Sequence, residues 1–371
     1  MIAKPTRLDV YRTAIPMRSF EHAAASRELA EAIAVRLELS DGSVGWGETL
    51  PRDYVTGETL QSVPQDLERT IWPACAGTSF DREESLSQIP SSDAAGRCIN
   101  ATRCAFELAV MDATSAGGRE AISSRVSGVL GSADPARTSR RLRFMRLMGL
   151  RDFKLKLGMG DDVDAENLRL VHRRLGKALA AGRCTLRVDV NGAWSASAAP
   201  DRVAELKRYG VCAVEQPTRC RAEEFVELAR KCELPLLADE SLVTRADAET
   251  LLAEPRRVWW NIRISKNGGL SPATAMARLA TRHGVTVVVG CMVGESSILS
   301  AAQRRLLQCV PPPRFVEGNY GRFLLADDLT RKSLRFGYGG RLKPLRGRGL
   351  GVNVSQDKVE KYGVKAARLQ N

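Results

Sequence analysis

From about residue 123 onward the chain repeats one pattern, a short apolar segment followed by a helical stretch. The candidate strands are Arg125-Val-Ser-Gly-Val-Leu130, Phe153-Lys-Leu-Lys-Leu157, Cys184-Thr-Leu-Arg-Val-Asp189, Val211-Cys-Ala-Val-Glu215, Leu234-Pro-Leu-Leu-Ala-Asp239, Trp259-Trp-Asn-Ile-Arg-Ile264 and Val285-Thr-Val-Val-Val289. Four successive segments close on polar residues at 189, 215, 239 and 266, separated by 26, 24 and 27 residues, each about one βα unit. Between the second and third segments, Leu168, Val171, Leu175, Ala178 and Leu179 share one helical face. The acids Asp161, Asp162, Asp164 and Glu166 lie at its start, where the helix dipole favours negative charge. So many units in tandem predict a closed parallel barrel rather than an open sheet.

The first third reads differently. Residues 32–39 alternate apolar and polar, Asp41-Gly42 turns the chain, and Val44-Gly-Trp-Gly-Glu48 returns, which predicts an antiparallel hairpin. Over 97–116, Ile99, Ala105, Phe106, Ala109, Val110 and Ala113 recur at helical spacing and stop at Gly117-Gly118, a helix end. A length of 371 residues suits two domains at about 150 residues each. With 44% hydrophobic and 27% charged residues, the chain can bury a core and is neither disordered nor collagen-like. Lys4, Arg7 and Asp9 interrupt the start, and no apolar run approaches the ~18 residues of a membrane span, so neither a secretory leader nor a membrane anchor is expected. Nine scattered cysteines without Cys-x-x-Cys fit neither a disulfide framework nor a zinc site, and predict a cytoplasmic protein. Of the net charge of +13, +9 sits in residues 331–371, including Arg346-Gly-Arg-Gly-Leu-Gly351. That stretch is similar to RNA-binding Arg-Gly tracts, but aromatics are only 5% of the chain and the segment runs on into helix-like Asp357-Lys-Val-Glu-Lys-Tyr362. Nucleic acid is not the expected partner.

In a parallel barrel every strand's C-terminal end opens on the same mouth, so residues far apart in sequence converge there. These ends are Lys154 and Lys156, Asp189 with Asn191, Glu215, Asp239 with Glu240, Lys266, and Glu295 beyond Gly290-Cys-Met292. Three carboxylates meeting at a barrel mouth repel unless a cation is present, and hard oxygen donors suit Mg²⁺. Asp189, Glu215 and Asp239 are therefore the candidate metal ligands. Asn191, Glu240 and Glu295 are candidates for contacts behind the ligands or to the substrate. A strand period of two turns Lys154 and Lys156 to the same face, into the barrel. With Lys266 four strands round the mouth, two amines could act on opposite faces of one carbon. The proton α to a carboxylate is too weakly acidic for an amine alone. A metal on the carboxylate and one lysine as electrostatic partner make its removal by another lysine feasible.

This set of residues resembles the enolase superfamily, in its muconate-cycloisomerase-like (mandelate racemase/muconate lactonizing enzyme) subgroup. The resemblance rests on Val44-Gly-Trp-Gly-Glu48, Thr56-Gly-Glu58, residues 104–113, Lys154-Leu-Lys156, Asp189-Val-Asn191, Glu215-Gln-Pro217, Asp239-Glu-Ser241, Lys266-Asn-Gly-Gly269 and Gly290-Cys-Met292. It implies an α/β fold, a TIM-like (β/α)7β barrel over 123–330, with an α+β capping domain over 1–122 that residues 331–371 complete. It implies Mg²⁺, with Mn²⁺ as a substitute, on Asp189, Glu215 and Asp239, acid/base lysines at Lys156 and Lys266, and Lys154 assisting the substrate carboxylate. The expected enzyme is an isomerase passing through a metal-stabilised enediolate. It would racemise or epimerise an amino-acid derivative or cycloisomerise a muconate. A succinylbenzoate-synthase-like syn-dehydratase or a non-catalytic binding descendant are the alternatives. A small-molecule carboxylate as partner and a homo-oligomer are expected.

Departures from the family pattern narrow the choice. A mandelate-racemase-type site needs a histidine at the mouth, and His22, His172 and His283 do not end strands. Dipeptide epimerases carry Asp-x-Asp where this chain has Glu317-Gly-Asn319, which weakens a dipeptide substrate. Arg263 stands where a lysine is common. The specificity loops are expected at about 16–29, with Phe20 and His22, and at about 51–57, with Asp53 and Tyr54.

Overall fold

The computed structural model describes residues 3–22, 25–80, 83–118 and 120–370. Its first layer is a four-stranded antiparallel sheet in the order β12-β1-β2-β3, formed by β1 (Pro5–His22), β2 (Ala25–Leu39), β3 (Val44–Thr49) and β12 (Gly363–Gln370). The β2–β3 hairpin turns at Asp41-Gly42 as expected: Gly42 takes φ 83°, and Asp41 Oδ1 accepts from Ser43 N at 2.9 Å. The helix Asn100–Thr114 lies on β3. Gly45 and Gly47 permit that approach, since a Cβ on them would fall 2.0 Å from Ala109 O and 1.9 Å from Ala105 O.

The second layer is the expected parallel barrel. Its strands are β4 (Gly128–Leu130), β5 (Asp152–Lys156), β6 (Thr185–Asp189), β7 (Val211–Glu215), β8 (Leu236–Ala238), β9 (Val258–Ile262), β10 (Val287–Val289) and β11 (Phe315–Val316). They pair in sequence order as a curled eight-stranded sheet. A parallel bridge between Val126 and Val316, with Ser127 N donating to Val316 O at 2.7 Å, joins its two ends. All seven candidate strands are present, several of them shorter than read. The eighth, Phe315–Val316, has two residues and is too brief to show a periodicity. Among the described residues no helix is long and apolar enough to cross a membrane.

Two segments differ from the sequence reading. The expected loop at 16–29 is largely an extension of the β1–β2 hairpin, paired as far as His22 opposite Ala25, with a register shift between Pro16 and Phe20. Arg18 N reaches across to Leu324 O at 2.8 Å, which brings the hairpin against the segment after β11. The helix-like tail segment is a helix, Gln356–Tyr362, and it continues directly into β12 on the free edge of β1. Some of the tail's positive charge is consumed internally: Arg368 and Lys365 reach the buried Asp9 at 2.8 and 3.3 Å, and Lys358 reaches Asp327 at 2.8 Å.

Buried carboxylates join the two layers. Glu48 of β3 accepts from Ser296 N, Ser296 Oγ and Leu299 N at the start of the helix Ser297–Cys309. Glu107 accepts from Ser271 N and Oγ, both at 2.8 Å, and Thr49 Oγ1 shares a hydrogen bond with Ser265 Oγ. The capping sheet is thereby held over the C-terminal ends of the barrel strands.

Candidate active site

Parallel pairing sets the site's register. Lys156 stands opposite Asp189 across β5 and β6, and Asp189 stands opposite Glu215 across β6 and β7. Lys156 Nζ donates to Asp189 Oδ2 at 2.6 Å and to Asn191 Oδ1 at 2.8 Å. Two residues earlier on the same face, Lys154 Nζ lies 3.2 Å from Asp189 Oδ2, 3.1 Å from Glu215 Oε2 and 2.6 Å from Glu317 Oε2. Asn261 Nδ2 donates to Glu215 Oε1 at 2.8 Å. The Arg263 guanidinium pairs with Asp239 and lies 3.6 Å from Glu215 Oε1.

Three of the strand ends are held in an uncommon backbone conformation. Among the described residues the non-glycine positions with positive φ are Asn191, Gln216 and Asn319, and they follow β6, β7 and β11. Such conformations cluster at functional sites. Gln216 repays its strain by crosslinking neighbours: its Oε1 accepts from Asp239 N and Ser241 N, and its Nε2 donates to Thr218 O and Ser241 Oγ.

The electrostatics follow from burial against pairing. Burial by itself would raise Asp189, but Lys156 and Lys154 hold it well below the usual carboxylate range. Burial, and then the charge of Asp189, push Glu215 up to about 8. Burial disfavours the Lys154 ammonium, yet Glu215, Glu317 and Asp189 outweigh it and hold the amine charged well beyond the ordinary lysine range. A lysine held charged in this way suits electrostatic partnership better than proton uptake. Glu240 rises to about 7 through burial and its neighbour Asp239, and its Oε2 has no hydrogen-bond partner among the described residues. Burial raises Glu295 to about 8, although Met292 N donates to it at 2.6 Å.

A cavity of about 200 Å³ opens above these strand ends. Lys154, Lys156, Asn191, Glu240, Arg263 and Glu295 line its floor. Arg18, Arg52 and Tyr54 enter from the capping layer, while Phe144, Phe323 and Phe336 give it an apolar wall. Glu317 and Asn319 also face it, but both are engaged within the chain. Glu317 is held by Lys154 and, 3.1 Å away, by Arg187. Asn319 accepts from Arg304 Nε at 2.7 Å and donates to Gln303 at 2.6 Å.

Two expected residues are placed otherwise. Lys266 does not line the cavity; its Nζ is fully buried and donates to Asp239 Oδ1, Asp239 O and Asn261 O at 3.0, 2.7 and 2.8 Å. The reason is that β9 ends at Ile262, so Lys266 sits in the turn beyond it and not on the strand. Asp53 is exposed, outside the cavity lining, and its Oδ1 accepts from Tyr54 N within the first turn of its own short helix. The side chains of Phe20 and His22 lie outside the described residues. The carboxylate oxygens of Asp189, Glu215 and Asp239 are turned toward the chain's own cations, and among the described residues no group of three or more His, Cys, Asp and Glu is poised as a metal cage. Sequence reasoning assigned no function to Arg187, Gln216, Asn261 or Arg263. The alternation that placed Lys154 and Lys156 would have placed Arg187 beside Asp189, and Asn261 with Arg263, on the same inner face.

Known proteins resemble this arrangement over nearly its full length. A family model described as Enolase C-terminal domain-like matches residues 137–358. The N-succinyl-L-Arg/Lys racemase of Bacillus cereus is 28% identical over 81% of this chain and 82% of its own length. The chloromuconate cycloisomerase of Cupriavidus pinatubonensis is 27% identical over 87% of this chain and 89% of its own. The crystal structure of the Bacillus cereus racemase superposes with a TM-score of 0.86 at 24% identity, covering 99% of both chains. With its capped parallel barrel and its carboxylates and lysines at the strand ends, this chain belongs to the enolase superfamily, among relatives that are muconate cycloisomerases and amino-acid racemases and epimerases.

Proposed function

We propose that the protein is a Mg²⁺-dependent isomerase that removes the proton α to a substrate carboxylate. The observation that carries this reading is Lys156: it lines the cavity and stands in register beside Asp189, with Lys154 on the same face. The donor set suits a divalent ion, since Asp189, Glu215 and Asp239 are buried carboxylates at the ends of three neighbouring strands and carboxylate oxygen is the hard donor that Mg²⁺ prefers. They already share cations in pairs, Lys154 between Asp189 and Glu215 and Arg263 between Glu215 and Asp239. These three residues would hold the ion, with Arg263 and Lys154 yielding oxygens to it, and Mn²⁺ would substitute. When bound, it supplies positive charge to the substrate carboxylate as electron density moves onto those oxygens.

The chain's own residues do the rest. In its neutral form, the Lys156 amine takes the α-proton on its free lone pair and becomes an ammonium, and Asn191 fixes Nζ through its 2.8 Å hydrogen bond. Lys154, held charged, faces the developing negative charge. The capping layer's Tyr54 and Arg18 close the cavity from above. Cationic Arg18, Arg141 and Arg263 beside an apolar wall favour an anionic substrate with a hydrophobic body. Because Glu317 is already paired with Lys154 and Arg187, an N-acyl amino acid or a muconate-type diacid fits better than a dipeptide with a free ammonium.

The test is incubation with Mg²⁺ in D₂O against N-succinyl and other N-acyl amino acids, dipeptides and muconates. Deuterium entering the α position, or ring closure, with loss of both on chelation, is the expected result. No exchange and no turnover with any of these compounds would remove the proposal.

A further inference from the structure

We propose that Arg187, buried beneath the cavity, takes up the charge of Glu317 and so leaves the Lys154 ammonium its own charge to offer the substrate. This inference rests on the α-proton chemistry proposed above and adds a residue to it. Lys154 and Arg187 are register partners across β5 and β6, and both side chains point into the barrel. Like charges set side by side on neighbouring strands repel, and more strongly out of water. Glu317, directly after β11, resolves the conflict with one oxygen for each. Its Oε1 lies 3.1 Å from Arg187 Nη2, and its Oε2 lies 2.6 Å from Lys154 Nζ. Among the described residues neither Arg187 nor Glu317 pairs with Asp189, Glu215 or Asp239, so their contact does not depend on whether a metal ion is held there.

The guanidinium is fixed from several sides. Phe315, two residues before Glu317 and on the same inner face, has its ring centroid 4.1 Å from Arg187 Cζ. Ser127 Oγ accepts from Nη2 at 3.2 Å. Arg187 is nevertheless fully buried, and its Nε and Nη1 have no hydrogen-bond partner among the described residues. A buried cation with two idle nitrogens costs stability, and an apolar side chain of similar size would fill the barrel better. Packing does not account for it.

Charge does. Lys154 lines the cavity, whereas Arg187 is not part of its lining. With two cations on one carboxylate, a positive charge is left in excess, and Lys154 is where it meets the substrate. Without Arg187, Glu317 would cancel the Lys154 ammonium. The loss would bear hardest on the transition state, because negative charge builds on the substrate carboxylate only as the α-proton leaves. Arg187 is therefore a positioning residue that acts through Glu317.

The experiment compares the full chain with Arg187→Met, Arg187→Lys and the pair Arg187→Met/Glu317→Gln, using Mg²⁺ and N-acyl amino acids or muconates as probes, with circular dichroism as the folding control. Arg187→Met should lower kcat by at least about tenfold and change KM much less. Arg187→Lys keeps a cation and should turn over faster than Arg187→Met. The paired variant removes the carboxylate charge that Arg187 balanced, keeps a similar shape at 317, and should recover at least about fivefold in kcat over Arg187→Met. A natural rate in Arg187→Met, or no gain in either of the other two, would overturn the proposal. A crystal structure with Mg²⁺ reads the geometry without turnover: Glu317 between Arg187 and Lys154 supports it, and Glu317 turned away from either cation refutes it. If no probe reacts, the proposed function fails, while that structure still decides the pairing.

Discussion

Lys156 and Asp189 are register partners across two parallel strands, and Nζ of one donates to Oδ2 of the other at 2.6 Å. Replacing Lys156 by methionine keeps the stem and removes the amine. Turnover on a verified substrate should fall by about 10²–10⁴-fold, the usual worth of a positioned proton carrier. Asp189 keeps Lys154 at 3.2 Å, so the variant should still fold. Steady-state kinetics beside circular dichroism separates the two effects, and full activity would exclude Lys156 as the base.

As one of the proposed metal ligands, Glu215 would couple metal uptake to pH. Burial and Asp189 hold its carboxyl protonated up to about 8, and a metal ligand must be ionised. Mg²⁺ affinity should therefore rise between pH 6 and 8, by up to about tenfold per unit for one released proton, and level off above 8. Calorimetry in buffers of different ionisation enthalpy reads the proton release directly. Glu215→Gln should bind weakly and without this dependence, and EDTA should abolish turnover until Mg²⁺ or Mn²⁺ is returned.

Glu295 links stability to pH with a definite sign. Its carboxyl, raised by burial from 4.5 to about 8, keeps its proton in the folded chain after the unfolded chain has lost it. Its contribution is complete below about 4.5, declines as pH rises through that interval and is gone above 8. Glu295→Gln has no proton to lose. The stability of the natural protein relative to this variant should therefore shrink from pH 4.5 to 8, by on the order of 1 to 3 kcal/mol given its partial exposure to the cavity. Urea unfolding at several pH values measures it, and a constant difference would contradict it.

Gly47 is a packing requirement. A methyl group there would fall 1.9 Å from Ala105 O, backbone that cannot yield without moving the helix Asn100–Thr114 off β3. Gly47→Ala should destabilise the capping layer by roughly 3 kcal/mol or more, the scale of overpacking against a fixed neighbour. Thermal unfolding checks this, with Gly42→Ala as a comparison, since a Cβ at Gly42 meets nothing within 4 Å even though its positive φ carries a strain of its own.

Much of the barrel was legible because parallel strands buried on both faces read as apolar runs, and their near-constant spacing marks βα units. Seven strands showed themselves in this way, whereas Phe315–Val316 is two residues long and is recognisable only by its pairing with β10. Period-two alternation placed Lys154 and Lys156 inward, and their contacts with Asp189 and Glu215 agree. The same rule, applied from Asn261, points to Arg263. Reading the strand as ending at Lys266 hid this, since propensity does not show where a strand stops and a turn begins. The tail shows the same limit, because the strand after Tyr362 acquires its meaning only from the free edge of β1.

The sequence by itself determined a capped parallel barrel and the kinds of residue that end its strands, because periodicity and spacing are local properties of the chain. Only the tertiary structure decided which of those residues share a space. Lys266 and Arg263 are three positions apart, yet the turn locked by Asn267 buries one amine beneath Asp239 and leaves the other side chain at the cavity. Side-chain direction at a strand end depends on hydrogen bonds closed by distant residues, here Asn100 and Asp239, and no local pattern encodes those.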